Sequence, residues 1–275
     1  MIIAQYFVEF IFYSFLGWVW ESIFCSINER KWADRGFLFG PICPIYGSCV
    51  VITSALFGRI DFLSSPDFPV WGIFIICYIG SAIAEFCTSW VLEKRFHARW
   101  WDYSTMPLNI QGRICVPVSI AFGLAGIVVV RYLIPAVEKV HALVLPEVYV
   151  FLAIVLAMLF GADCALTEAS LSALLNDVNR MHNEFNEIAQ DKYEMVTSAP
   201  RMLEQKLLEG KEILEERHEQ LARAYAEKLS LNQKRILLGI KKFTPRPDLI
   251  SDHTDRDRII SALKEKVREL RGTGV

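Results

Sequence analysis

Two glutamates lie where a membrane helix carries an ionisable group only at a cost. Glu21 sits in "GWVWES" and Glu85 in "SAIAEFCTSW", each within about two turns of the end of a long apolar run. At a helix centre such a group costs on the order of 2–3 kcal/mol, and less near the interface. A carboxyl kept there can hold a proton, a cation or a headgroup. It can also lock two helices together as a fixed ion pair. An arginine stands in the loop after each one, Arg35 and Arg113. Either reading therefore places each glutamate against a loop arginine. Asp163, near the end of the last apolar run, is a third acidic candidate. Glu9 is expected to be solvated at the opposite interface.

The loops around these residues hold the rest of the candidate site. "HARWWDYSTMPLNIQGRIC", 97–115, combines His97, Arg99, Asp102, Tyr103, Asn109 and Arg113 with Trp100 and Trp101. Its aromatics suit the headgroup level of a bilayer. A histidine and an aspartate within reach of each other could move protons. Their order matches no nucleophilic triad or metal motif. No catalytic residue is assigned, and no metal or cofactor is expected. The phosphate-binding pattern G-x-x-x-x-G-K-[ST] is also missing.

"RGFLFGPICPIYG", 35–47, is apolar yet full of helix breakers. Pro41 and Pro44 cannot donate backbone hydrogen bonds. Gly36, Gly40 and Gly47 allow unusual dihedrals or close helix approach. The stretch should be a broken helix start whose bare N–H groups favour an anion. Tyr46 completes its polar set. Its echo is "GRICVPVS", with Gly112 and Pro117.

The elements that must position these residues are membrane helices. Hydrophobic residues make up 53% of the chain, concentrated before about residue 170. Five segments can span roughly 20 residues of hydrocarbon core: 2–24, 39–58, 70–92, 114–134 and 147–167. The expected fold is all-α, a multi-pass bundle over 1–170 followed by a cytoplasmic helical tail over 171–275. Basic residues cluster in the loops after the first and third spans, Arg30, Lys31 and Arg35, then Lys94, Arg95, Arg99 and Arg113. The positive-inside rule then puts the N-terminus outside and the tail in the cytoplasm of a plasma-membrane protein. The first span lacks a basic leader and a cleavage site, so it reads as a retained anchor. Seven cysteines in or beside spans do not make a disulfide framework.

The first two span pairs resemble each other. Each runs Glu, then a basic and aromatic loop, Gly, Ile-Cys and a proline. Two parallel hairpin repeats would bring both special loops to one face and so into one site.

In the tail, 166–198 continues the last span and Pro200 ends it. Residues 201–241 read as a helix with Leu207, Leu214 and Leu221 at heptad spacing, a candidate oligomer or partner surface. Residues 258–270 form a third amphipathic helix. The lipid bilayer is the first expected partner, and nothing points to nucleic acid.

"YSFLGWVWES" with "RGFLFGPICPIYG", and "EFCTSWVLEKRFHARWWDYS" with "NIQGRICVPVSIAFG", resemble the bacterial family described as putative ABC transporter type IV. The resemblance covers about 6–130 well and reaches the tail through "LSLNQKRILLGIKKF". It implies a permease-like membrane subunit, of unknown substrate, that works with a separate ATPase. It carries no site residues over. A lipid-headgroup binder or enzyme at the inner interface, and a scaffold recruiting partners through its tail, are the alternatives.

Overall fold

The computed structural model describes residues 2–29, 36–65, 67–197, 216–217, 219–243 and 253–272. The chain divides into two compact units, Met1–Thr167 and Glu168–Val275.

The first unit is built from α1 (Ile2–Glu29), α2 (Pro44–Arg59), the single turn α3 (Asp61–Ser64), α4 (Val70–Phe96), α5 (Val116–Val128), α6 (Ile134–His141) and the start of α7 (Pro146–Thr197). Among the described residues, four helical stretches are long and apolar enough to cross a membrane: Ile2–Ile27, Val70–Phe96, Val116–His141 and Pro146–Met181. They leave large apolar side chains uncovered, among them Trp20, Phe24, Ile79, Ile83, Leu124 and Phe151. Surface of that kind calls for lipid.

The span expected over 39–58 is different. Its helix starts only at Pro44 and has 16 residues, about 24 Å, short of a core of about 30 Å. The prolines and glycines before it explain the late start. Cys43 is extended, with no side-chain cap, and Pro44 takes the first turn, where a missing N–H costs nothing. The span expected over 114–134 runs on to His141 through a π turn, Val129–Leu133. Pro135 lies two residues past that turn and cannot donate to the preceding helical carbonyl, which accounts for the local widening.

Two helix hairpins dominate the unit, α1 on α2 and α4 on α5. Both close on small residues. A side chain at Gly47 would collide with Ser14 and the Phe10 carbonyl of α1, and one at Gly17 with the Tyr46 ring of α2. In the second hairpin, Gly123 packs on Phe74 and Tyr78, and Gly126 on Cys77. This is the close-approach packing that membrane helices use in the absence of a hydrophobic driving force between them. The T-shaped contact of Tyr46 with Phe122, centroids 6.0 Å apart, joins the two hairpins. No disulfide joins the seven cysteines.

In the second unit, α7 continues without a break. Its Leu171, Leu174, Leu175, Val178 and Met181 recur at helical spacing and are buried. A helix over 219–228 (α8), α9 (Leu231–Gly239) and α10 (His253–Gly272) supply Tyr225, Leu237 and Leu263 to the core. The single helix expected over 201–241 is interrupted. Ser230 starts α9 with a reciprocal capping box to Gln233, which ends one helix and begins another. Leu207 and Leu214 lie outside the described residues, so the heptad stripe is not described over that length.

Candidate functional site

The breaker stretch is held from α7. The backbone N–H groups of Phe39 and Gly40 donate to the two carboxylate oxygens of Asp163, each at 2.9 Å. Thr167, one turn on, donates to the same carboxylate at 3.3 Å. The broken helix start does attract an anion, as its bare N–H groups demand. The group that meets them is the chain's own Asp163. Gly40 is needed because a Cβ would lie 2.7 Å from Asp163 Oδ2. Gly36 sits at φ +122°, where other residues are strained. Beyond Pro41 the Cys43 N–H reaches back to the Ser14 carbonyl at 2.9 Å. The loop therefore runs deep beside α1 instead of resting on its end. Arg35 lies outside the described residues.

The second loop folds on itself. Asn109 and Ile110 (β1) pair antiparallel with Ile114 and Cys115 (β2) around a turn at Gln111–Gly112. Asn109 holds that turn. Its amide donates to the carbonyls of Met106 (2.8 Å) and Ser104 (3.3 Å), and its oxygen accepts from the Gly112 N–H at 3.1 Å. Asn109 thus ties the loop together. Asp102 is likewise turned to the Ser104 N–H, at 3.1 Å, and to its hydroxyl. Gly112 has φ +68°, and a Cβ there would meet Asp102 and Ser104. His97 caps α4 in the left-handed region, its N–H on the Glu93 carbonyl at 2.8 Å. Trp101 donates its indole N–H to the Arg113 carbonyl at 2.9 Å. Cys115 caps α5 as Cys43 caps α2, and Pro117 stands in the first turn.

Arg113 does not pair with Glu85, as the sequence led us to expect. It forms an ion pair with Glu93 at 2.5 Å and donates to the Ser89 hydroxyl at 3.3 Å. Arg99 binds the same Glu93 carboxylate through two nitrogens, at 2.7 and 3.0 Å. Glu85, Ser89 and Glu93 lie at i, i+4 and i+8 of α4, close to one face. The loop delivers both guanidiniums two turns beyond Glu85. Sequence reading overlooked Glu93; its spacing from Glu85 was the available signal.

Glu85 is left with a different neighbourhood. Its side chain is buried, and the Tyr103 hydroxyl donates to Oε1 at 3.3 Å. Oε2 is buried with no hydrogen-bond partner among the described residues. Burial holds the Tyr103 phenol well above its ordinary value, and the Glu85 charge and hydrogen bond, then Cys115 and Glu21, push it the same way. Tyr103 is therefore a donor at any physiological pH. Glu21, Cys43, Tyr103 and Glu85 all lie within electrostatic reach of the Tyr46 hydroxyl. The Cys43 thiol donates to Glu21 Oε2 at 3.6 Å. One carboxyl from each hairpin, one tyrosine from α2 and one from the second loop thus share a single buried centre.

Glu9 is also not where the sequence put it. It is 4% exposed, not solvated. Gln5 donates to Oε1 at 3.2 Å, and His141 Nε2 approaches the same oxygen to 2.9 Å. That second approach is a close contact of polar groups and lacks the alignment of a hydrogen bond. His141 Nδ1 bonds the Tyr149 hydroxyl. His141 lies 132 positions from Glu9, so no local pattern announces the pair. Among the described residues no three His, Cys, Asp or Glu side chains are grouped to hold a metal ion.

A family model described as putative ABC-transporter type IV matches residues 8–168. No curated protein and no solved structure matches the chain.

Proposed function

This chain belongs to the putative ABC-transporter type IV family, and from that premise we propose that it is a permease-like membrane component with a proton or small-cation site at Glu85 and Glu21. Tyr46 and Tyr103 complete the site. The observation that carries the reading is the buried, unpartnered Oε2 of Glu85. A carboxylate kept in that position without a cation is costly, so it takes up a proton or a positive ion. A headgroup phosphate would need free guanidinium groups. Arg99 and Arg113 are both committed to Glu93, which favours the cation reading.

Residues 36–43 are bent and not helical, and they bring α2 in beside the middle of α1. With α2 counted as a crossing, the basic loops support an outside N-terminus and a cytoplasmic tail. Energy would come from a separate ATPase, because the chain has no phosphate-binding loop of its own.

Infrared difference spectroscopy of the purified protein in lipid tests the site. A carboxyl band should respond to pH or to added sodium, and Glu85→Gln should remove that response. Identical spectra for the two proteins would refute it. Affinity capture in mild detergent that brings down no ATPase would count against the ABC assignment of energy.

A further inference from the structure

A second polar centre lies away from Glu85. A cavity of about 140 Å³ opens between the first half of α1, the last turns of α2, and α6. Glu9, Tyr6 and Tyr13 line it from α1, Ser54 from α2, and Glu138 and His141 from α6. Glu9 lies twelve residues from Glu21 on α1, about 18 Å along the axis. The two centres are therefore separate, and this one does not depend on the reading of Glu85.

Its chemistry is that of an acceptor-lined box. Two carboxylates, two phenols and a hydroxyl converge on a space larger than a bare ion. Carboxylates with aromatic faces are the recurrent means of holding an organic cation. The π turn before α6 sets this arrangement. From it, α6 turns Ile134, Val137, Glu138 and His141, spaced at helical intervals, toward the cavity. We propose that this cavity binds an ammonium group, belonging either to a small free amine or to a lipid headgroup.

The charged and titratable groups around it define the competition. Glu9, Tyr6 and Tyr13 face it from α1, and Glu138 and His141 from α6. Tyr149 of α7 bonds His141, and Arg59 of α2 lies over the Tyr6 ring at 5.6 Å. Glu9 and Glu138 outnumber Arg59. His141 Nε2 lies 2.9 Å from Glu9 Oε1 and competes with an ammonium for that oxygen.

The test is methylammonium titrated calorimetrically into the full-length protein in phosphatidylglycerol nanodiscs, which carry no ammonium headgroup. Saturable binding is expected at pH 8. Glu9→Gln and the more exposed Glu138→Gln should each weaken it about ten-fold or more. Glu138→Gln keeps the test decisive if Glu9→Gln fails to fold. Glu85→Gln should leave it unchanged, which separates this site from the other centre. Phosphatidylethanolamine nanodiscs that block methylammonium would identify a headgroup as the occupant, and equal binding in both discs a free amine. No saturable binding, or binding indifferent to Glu138→Gln, overturns the proposal.

Discussion

The two loops that lead into α2 and α5 share one pattern, Gly-x-Ile-Cys, and are held by opposite charges. In the first, Pro41 stands where the second has Arg113. Without a side-chain cation, the first loop exposes backbone N–H groups, and an anion from another helix, Asp163, satisfies them. In the second, Arg113 carries the charge itself, and Glu93 of the same hairpin satisfies it. One loop therefore depends on α7 and the other is self-contained. The comparison also explains Glu85. Since Glu93 takes the arginines, the glutamate that belongs to the repeat is left to the Tyr103 hydroxyl.

Substitutions can break this contrast at graded cost. Asp163→Ala removes the acceptor of two backbone donors and should cost about 3–5 kcal/mol of stability. Unfolding in detergent, with faster amide exchange over 36–43 and unchanged exchange over 109–115, would bear this out. Equal loosening of both loops would deny that they are independently held. Glu93→Ala should cost somewhat less, about 2–4 kcal/mol, because Arg99 and Arg113 keep some polar neighbours. It should also release Arg113 toward Glu85, so the carboxyl response in the infrared should vanish although Glu85 is intact. A response that survives would mean that Arg113 cannot reach it.

The glycines give a smaller effect. Gly112→Ala combines φ +68° with a collision against Asp102 and should cost about 1–2 kcal/mol. Gly40→Ala has only the contact with Asp163 and should cost less in a thermal melt. Tyr103→Phe removes one hydrogen bond from Glu85, about 1 kcal/mol. Wild-type protein should show no tyrosinate signal from Tyr103 in ultraviolet titration below pH 10 or so.

The tail offers the mildest test, a control that involves neither loop. Burial, then the hydrogen bond to Glu184, pushes the Tyr225 phenol up to about 12. Raised above the ordinary value of about 10, it contributes stability that is complete below pH 10 or so and is lost as pH rises through about 12. Amide exchange over 219–243 should quicken across that window, and Tyr225→Phe should abolish the change. A change that persists in Tyr225→Phe would assign the alkaline loss to another group.

Helices, breakers and the hairpin repeat were legible because each is written locally. Apolar length makes α1, α4, α5 and α7. The prolines and glycines of 36–47 mark the late start of α2. The pairing of ions was not legible, since Glu85 and Glu93 lie close to one face of α4 and either could meet Arg113. Asp102 and Asn109 are polar loop residues, and sequence alone does not tell a ligand group from one that ties a turn. Their bonds to Ser104, Met106 and Gly112 assign them to the turn.

By itself the sequence determined that this is a membrane-helix protein with two broken helix starts and carboxyls kept at a cost, because hydropathy, helix breaking and charge are properties of short stretches. The tertiary structure decided which charge answers which. Asp163 crosses 123 residues to reach Gly40, and His141 crosses 132 to reach Glu9. In a low-dielectric interior a few ångströms settle each choice of partner, and only the packed chain sets those distances.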